Sequence, residues 1–212
     1  MTLSTFFVIL SSLFYLIGIV PYFYHVFHGR VVPHPFSWTI WFMFAATSGY
    51  FVFLTEGFSY SLIPVIIRTT ALLIGSLLGW FYIRKIRIGF ADYLTLFLAI
   101  AIITGTKILG VDGTIVFMII IDFLVLFPSL KKIWINPASE DIIAWIFAPL
   151  SIGFFLLSLR DISFSNAGYF LYQILLNVAV AIFIYKRKLY VSSWKYFFGK
   201  GLEFFALRKK FW

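Results

Sequence analysis

Two charges stand alone inside long apolar runs: Arg68 between positions 60 and 83, and Asp122 between 113 and 133. A lone ionised group in hydrocarbon costs roughly 2.5–3.5 kcal/mol on insertion scales, so each needs a partner or water. Paired with one another, they would clamp two parts of a bundle. Facing a cavity, Asp122 could carry a proton or touch a solute while Arg68 tunes it or binds an anionic group. Tyr15, Ser48, Thr70, Gln173 and Asn177 add neutral donors and acceptors. These suit a small polar solute, and equally suit hydrogen bonds between helices. At about 1.5 Å of rise per residue, the whole set falls in one layer. Tyr15 is 12 residues in from Leu3, Arg68 eight from Tyr60, Asp122 ten from Asp112, and Gln173 and Asn177 seven and eleven from Asn166. Thr47 and Ser48 reach a matching depth in the segment that runs the other way.

The elements that must carry this layer are membrane spans. Apolar residues make up 62% of the chain and charged residues only 12%, against roughly half and a quarter in soluble domains. The mean hydropathy is +1.01. Seven apolar segments can be drawn, at 3–27, 36–55, 60–83, 91–110, 113–133, 141–158 and 166–185. Each approaches the roughly 20 residues a helix needs to cross a bilayer. The runs are continuous rather than alternating, so the fold class is all-α and not a barrel. The first run has neither a charged leader nor a small-residue cleavage site and reads as a retained span. There is no cysteine, which excludes disulfides, thiol nucleophiles and thiolate metal sites.

Charge placement orients the bundle. Fourteen of the 17 cations fall on one set of loops and the C-terminal tail, and only Lys107 and Arg160 on the other. Basic loops stay cytoplasmic, so the expected topology is N-terminus outside and C-terminus inside, in a cell membrane. The net charge of +9 therefore reports topology and not nucleic acid.

A duplication runs through the chain. Pro21 and Trp38 fall onto Pro128 and Trp145 at a shift of 107 positions, each pair separated by 17 residues. Segments one to three and five to seven then form two units, with segment four between them. Three spans reverse direction and the fourth restores it, so the units are parallel, related by an axis along the membrane normal, with a cavity between them. The expected division is 1–87 for the first unit, 88–111 for a linker helix, 112–187 for the second unit and 188–212 for a tail. Pro21 and Pro128 lie one to two turns from the inner ends of their spans, in equivalent places. A proline removes a backbone donor and kinks a helix; these two read as hinges or as static kinks.

With Pro21-Tyr22 and Trp38 in one unit, and Pro128-Ser129, Lys131, Lys132, Trp134 and Trp145 in the other, the 3+1+3 chain resembles the SWEET and PQ-loop transporters, as a divergent bacterial-type member. The likeness covers roughly residues 3–187. The Pro-Gln dipeptide of that family stands here as Pro-Tyr and Pro-Ser. Of its four hinge prolines, Pro21, Pro128 and Pro149 match, while Phe42 occupies the position equivalent to Pro149. Asn177 matches a pocket asparagine, and Thr70 is its counterpart in the first unit. The resemblance implies alternating access for a sugar, an amino acid or a related small solute, coupled to protons in some members. The Trp38-Thr-Ile-Trp41 spacing is also similar to a motif of nicotinamide riboside transporters, of related architecture.

Enzyme readings find little support. His25, His28 and His34 gather near one loop without acidic ligands at metal spacing, and read as solvated loop side chains. Glu140-Asp141 suits a helix N-terminus. No phosphate loop, nucleophile elbow or carboxylate pair is present, so no metal or cofactor is expected. The seventh segment lacks a mid-span lysine for a retinal Schiff base. Trp41 and Trp145 are the two tryptophans deep enough to reach a cavity. The basic, aromatic tail 188–212 suits a helix on an anionic leaflet. The rival to a transporter is a non-transporting receptor for a peptide or lipid. A cavity sealed on one side favours that rival, and two-sided access to the Asn177 layer favours transport. One chain holds both units, which leaves a homo-oligomer open but not required.

Overall fold

The computed structural model describes residues 2–85, 88–137 and 140–198. The described residues form seven α-helices: α1 Leu3–Phe27, α2 Pro35–Glu56, α3 Leu62–Phe81, α4 Phe90–Thr104, α5 Thr106–Ile135, α6 Ile142–Ser158 and α7 Phe164–Phe198. Five are long and apolar enough to cross a membrane, while α4 and α6 are shorter apolar helices of 15 and 17 residues. Their outward faces are greasy at helical spacing, as with Leu171, Leu175, Val178 and Ile182 on α7. Apolar surface of that extent belongs against lipid.

Local chemistry sets the ends. The Thr2 hydroxyl accepts the Thr5 N–H at 3.2 Å ahead of α1. Pro35 opens α2 where its missing N–H costs nothing. Asp141 Oδ1 accepts the Ile143 N–H at 3.0 Å and caps α6, while its neighbour Glu140 pairs with Lys132 Nζ at 2.8 Å. Between α4 and α5, Gly105 keeps near-helical angles (φ −78°, ψ 1°), but Gly110 does not (φ 70°, ψ 174°). The break between the fourth and fifth spans is therefore at Gly110, where the left-handed φ favours glycine. Helix α7 does not stop at the expected boundary of 187 but continues to Phe198. Residues 199–212, the larger part of the expected tail, lie outside the described residues.

The most extensive packing joins α1 to α6, α2 to α3, and α6 to α7. Helix α1 also meets α3, α5 meets α7 and α2, and α4 lies against α2 and α5. Small residues allow the close approaches, as is usual where lipid supplies no hydrophobic drive. A β-carbon on Gly18 would sit 2.9 Å from Phe147 Cβ across the α1–α6 seam. On α3, one on Gly79 would sit 2.9 Å from Pro35 Cα, and one on Gly75 would run into the Trp38 ring. Gly75→Ala is thus expected to force the indole aside, at the about 1–3 kcal/mol typical of overpacking. A drop of several degrees in unfolding temperature in detergent checks this, with an unchanged value counting against the close fit.

Candidate functional site

A cavity of about 1620 Å³ opens at the end of the bundle that carries the α1–α2 and α5–α6 loops, and reaches inward to mid-span. Each helix supplies a stripe at helical spacing. Tyr15, Gly18, Ile19 and Tyr22 come from α1, Arg68 and Leu72 from α3, and Tyr169, Phe170, Gln173 and Asn177 from α7. Residues three, four and seven apart share a face.

Gln173 is the hub of the roof. Its Oε1 accepts from Arg68 Nη2 at 3.2 Å and from Asn177 Nδ2 at 3.2 Å. Its Nε2 donates to Asp122 Oδ2 at 2.6 Å and to the Tyr169 hydroxyl at 3.1 Å. Asn177 Nδ2 also donates to the Gln173 backbone carbonyl at 2.6 Å. Arg68 and Asp122 thus form no direct ion pair; Gln173 stands between them and bonds to both. An amide can do this because it donates and accepts at once. Asp122 is 0% exposed and does not line the cavity. Trp41 and Tyr172 also face its carboxyl group, yet Oδ1 and the Tyr172 hydroxyl lack well-formed partners.

The remaining expected site residues separate by direction. Thr70 is exposed on the outside of α3 and off the cavity. Two residues beyond Arg68, it lies about 200° round the helix. Ser48 is buried, unpaired and also off the cavity. Tyr15, Arg68, Gln173 and Asn177 come together at the roof. Pro128 lines the wall, whereas Pro21 and Pro149 do not. All three prolines sit inside their helices, Pro128 in the part of α5 that follows the break at Gly110.

Below the roof runs a belt of rings. Tyr22 stacks on Trp38 at 5.0 Å, Trp38 meets Trp41 edge-on at 5.9 Å, and Trp41 meets Trp145 at 6.3 Å. At the mouth, Lys132 pairs with Glu140, and His34 Nε2 lies 3.7 Å from Asp92 Oδ1. His34 is not a solvated side chain as expected: burial lowers its pKa below the ordinary imidazole value, against the pull of Asp92, and Lys132 adds to the lowering. His25 Nδ1 lies 3.1 Å from Asp141 Oδ2. No group of three metal-binding side chains occurs among the described residues.

The far end of the bundle is shut. Ser11 Oγ donates to the Ser151 carbonyl at 2.8 Å, and Ser151 Oγ donates to the Ser11 carbonyl at 2.8 Å. Farther out, Ser4 Oγ and Ser61 Oγ both donate to the Ser158 carbonyl, at 2.8 and 3.1 Å. Between this seam and the cavity lies a void of about 10 Å³, lined by Ser11, Ser151 and Arg68 among others. Arg68 and Phe170 border both spaces and together form the septum between them.

No family model, curated protein or solved structure is similar to the chain.

Sequence reasoning overlooked Ser11, Ser151, Gly75 and Gly79. A signal for the glycines was present: Gly75 and Gly79 form the small-xxx-small spacing of close helix pairs. The serines had none, because only the fold brings positions 11 and 151 together.

Proposed function

We propose that the chain is a membrane transporter that moves a small polar solute, sugar-like or amino-acid-like, by alternating access between two pseudo-symmetric three-helix units. The observation that carries this reading is a deep cavity, open at one end, with a polar roof at mid-span and a hydrogen-bonded seam beyond it. The described state is the one open towards the basic loops, which is the cytoplasmic side on the charge rule.

The packing supports the two units. Under a shift of 107, α1, α2 and α3 correspond to α5, α6 and α7. The α2–α3 contact then corresponds to α6–α7, α1–α3 to α5–α7, and α1–α6 to α5–α2, and every one of these contacts is made. The serine seam has a counterpart too: Ser11 and Ser151 map onto Met118 and Phe44, which are fully buried in one apolar cluster. Helix α4, flanking α2 and α5, takes the linker role. No chemical conversion is assigned to the chain.

One observation favours a second reading. The cavity is sealed at its far end, as expected for a receptor that binds without moving its ligand. The test is uptake by the purified chain in liposomes, using labelled sugars, neutral amino acids, nucleosides and small organic acids, with and without an inward proton gradient. Saturable flux of one class is the expected result. Absence of flux, in vesicles shown to hold folded protein, transfers the reading to the receptor.

A further inference from the structure

We infer that the cavity selects a small aromatic or cyclic monocarboxylic acid, with its carboxylate against Arg68 and its flat body along the ring belt. The inference rests on the cavity being a solute site, as proposed above.

Charge at the roof is one-sided. Arg68 is partly exposed and spends one hydrogen bond on a neutral amide, Gln173. None of its other donor atoms is buried without a partner, and the side chain lines the cavity as well as the small void beyond it. The nearest carboxyl group, Asp122, is sealed behind Gln173. The carboxylates that do line the cavity, Asp92 and Glu140, are at the mouth beside His34 and Lys132. Lys131 adds a further cation there. An anion entering between the loops therefore meets a cation at the mouth and another at the end of the path.

Occlusion decides between solutes. A neutral solute would leave the guanidinium stripped of water with no carboxylate in contact with it, which is costly in a dry site. A carboxylate matches the guanidinium fork with two parallel, charge-assisted bonds. One guanidinium balances one negative charge, so a monoanion fits. An amino acid fits less well, because its ammonium would find no carboxylate at the roof. The body of the solute meets Trp38, Trp41, Trp145 and Tyr22, whose faces and edges favour a flat ring. Ring faces also attract cations, but Arg68 and Lys131 oppose one here.

The test is equilibrium binding to the purified full chain in lipid nanodiscs. Benzoate, benzamide and benzylammonium serve as probes of one shape and three charges, read by tryptophan fluorescence and calorimetry. Benzoate is expected to bind at least about tenfold more tightly than benzamide, a gap of about 1.4 kcal/mol, and benzylammonium more weakly still. Arg68→Gln is expected to reduce benzoate to the benzamide level, and Arg68→Lys to retain the order. If Arg68→Gln does not fold, the ranking on the unaltered chain decides alone. Equal affinities, a preference for benzamide or benzylammonium, or no binding of any probe overturns the inference. Binding is read apart from flux. Benzoate selectivity without uptake refutes transport but leaves the inference standing, and uptake of a neutral solute without benzoate selectivity does the reverse.

Discussion

Oxidation of a Ser11→Cys/Ser151→Cys double variant is expected to cut uptake at least tenfold, and dithiothreitol to restore it. The two Oγ atoms are 3.4 Å apart, each hydroxyl also bonded to the other residue's carbonyl. The pair is buried on facing helices, and the chain has no cysteine to compete. A covalent bridge there would fix α1 to α6 beyond the septum while leaving the opposite mouth untouched. Alternating access requires that seam to part once per cycle, so a locked seam stops turnover. Probe binding from the open side is expected to persist in the oxidised protein. Full cross-linking with undiminished uptake would sink the assignment of this seam as the far gate.

The largest loss of stability is expected from Gln173→Leu. The change strips Asp122 of its one well-formed hydrogen bond and leaves the Tyr169 and Asn177 side chains short of a partner. An ordinary hydrogen bond between membrane helices is worth only about 0.6 kcal/mol. Leaving a buried polar group without its partner costs more, about 1–3 kcal/mol, and Asp122 is fully buried. The expected effect therefore lies towards the larger figure, measured as reversible unfolding in detergent. Adding Asp122→Leu to the same chain removes the stranded group and is expected to recover part of the loss. Two independent, additive losses would show that the pair is not coupled.

Depth can be counted from the sequence because rise per residue is fixed, and Tyr15, Arg68, Gln173 and Asn177 all line one cavity. Direction around each helix was not legible from depth alone. Thr70 shares the level of Arg68 but faces away from the cavity. The bond pattern at the roof was hidden for another reason: Gln173 joins residues from α3, α5 and α7, and no local rule selects which of several polar groups stands between two charges. Helix ends were read to within a few residues where glycine or proline marks them, as at Gly57 and Pro35. The end of α7 was misread because Lys186-Arg187-Lys188 looked like a terminus. Lysine and arginine are good helix formers, and the helix runs through them.

The two seams between the units differ in what they do when parted. The α1–α6 seam packs the rings of Phe14, Phe147 and Phe154, but at Ser11 and Ser151 it is bridged by hydroxyls and carbonyls, groups that water satisfies as well as protein does. The equivalent α2–α5 seam presents Phe44 and Met118, which water does not reward and lipid tails receive without penalty. On the proposed alternating access, wetting of the far side would begin at the serine bridge and leave the apolar seam dry. The proposed route would then be off-centre, passing Arg68 on one flank of the bundle instead of following the axis between the proposed units.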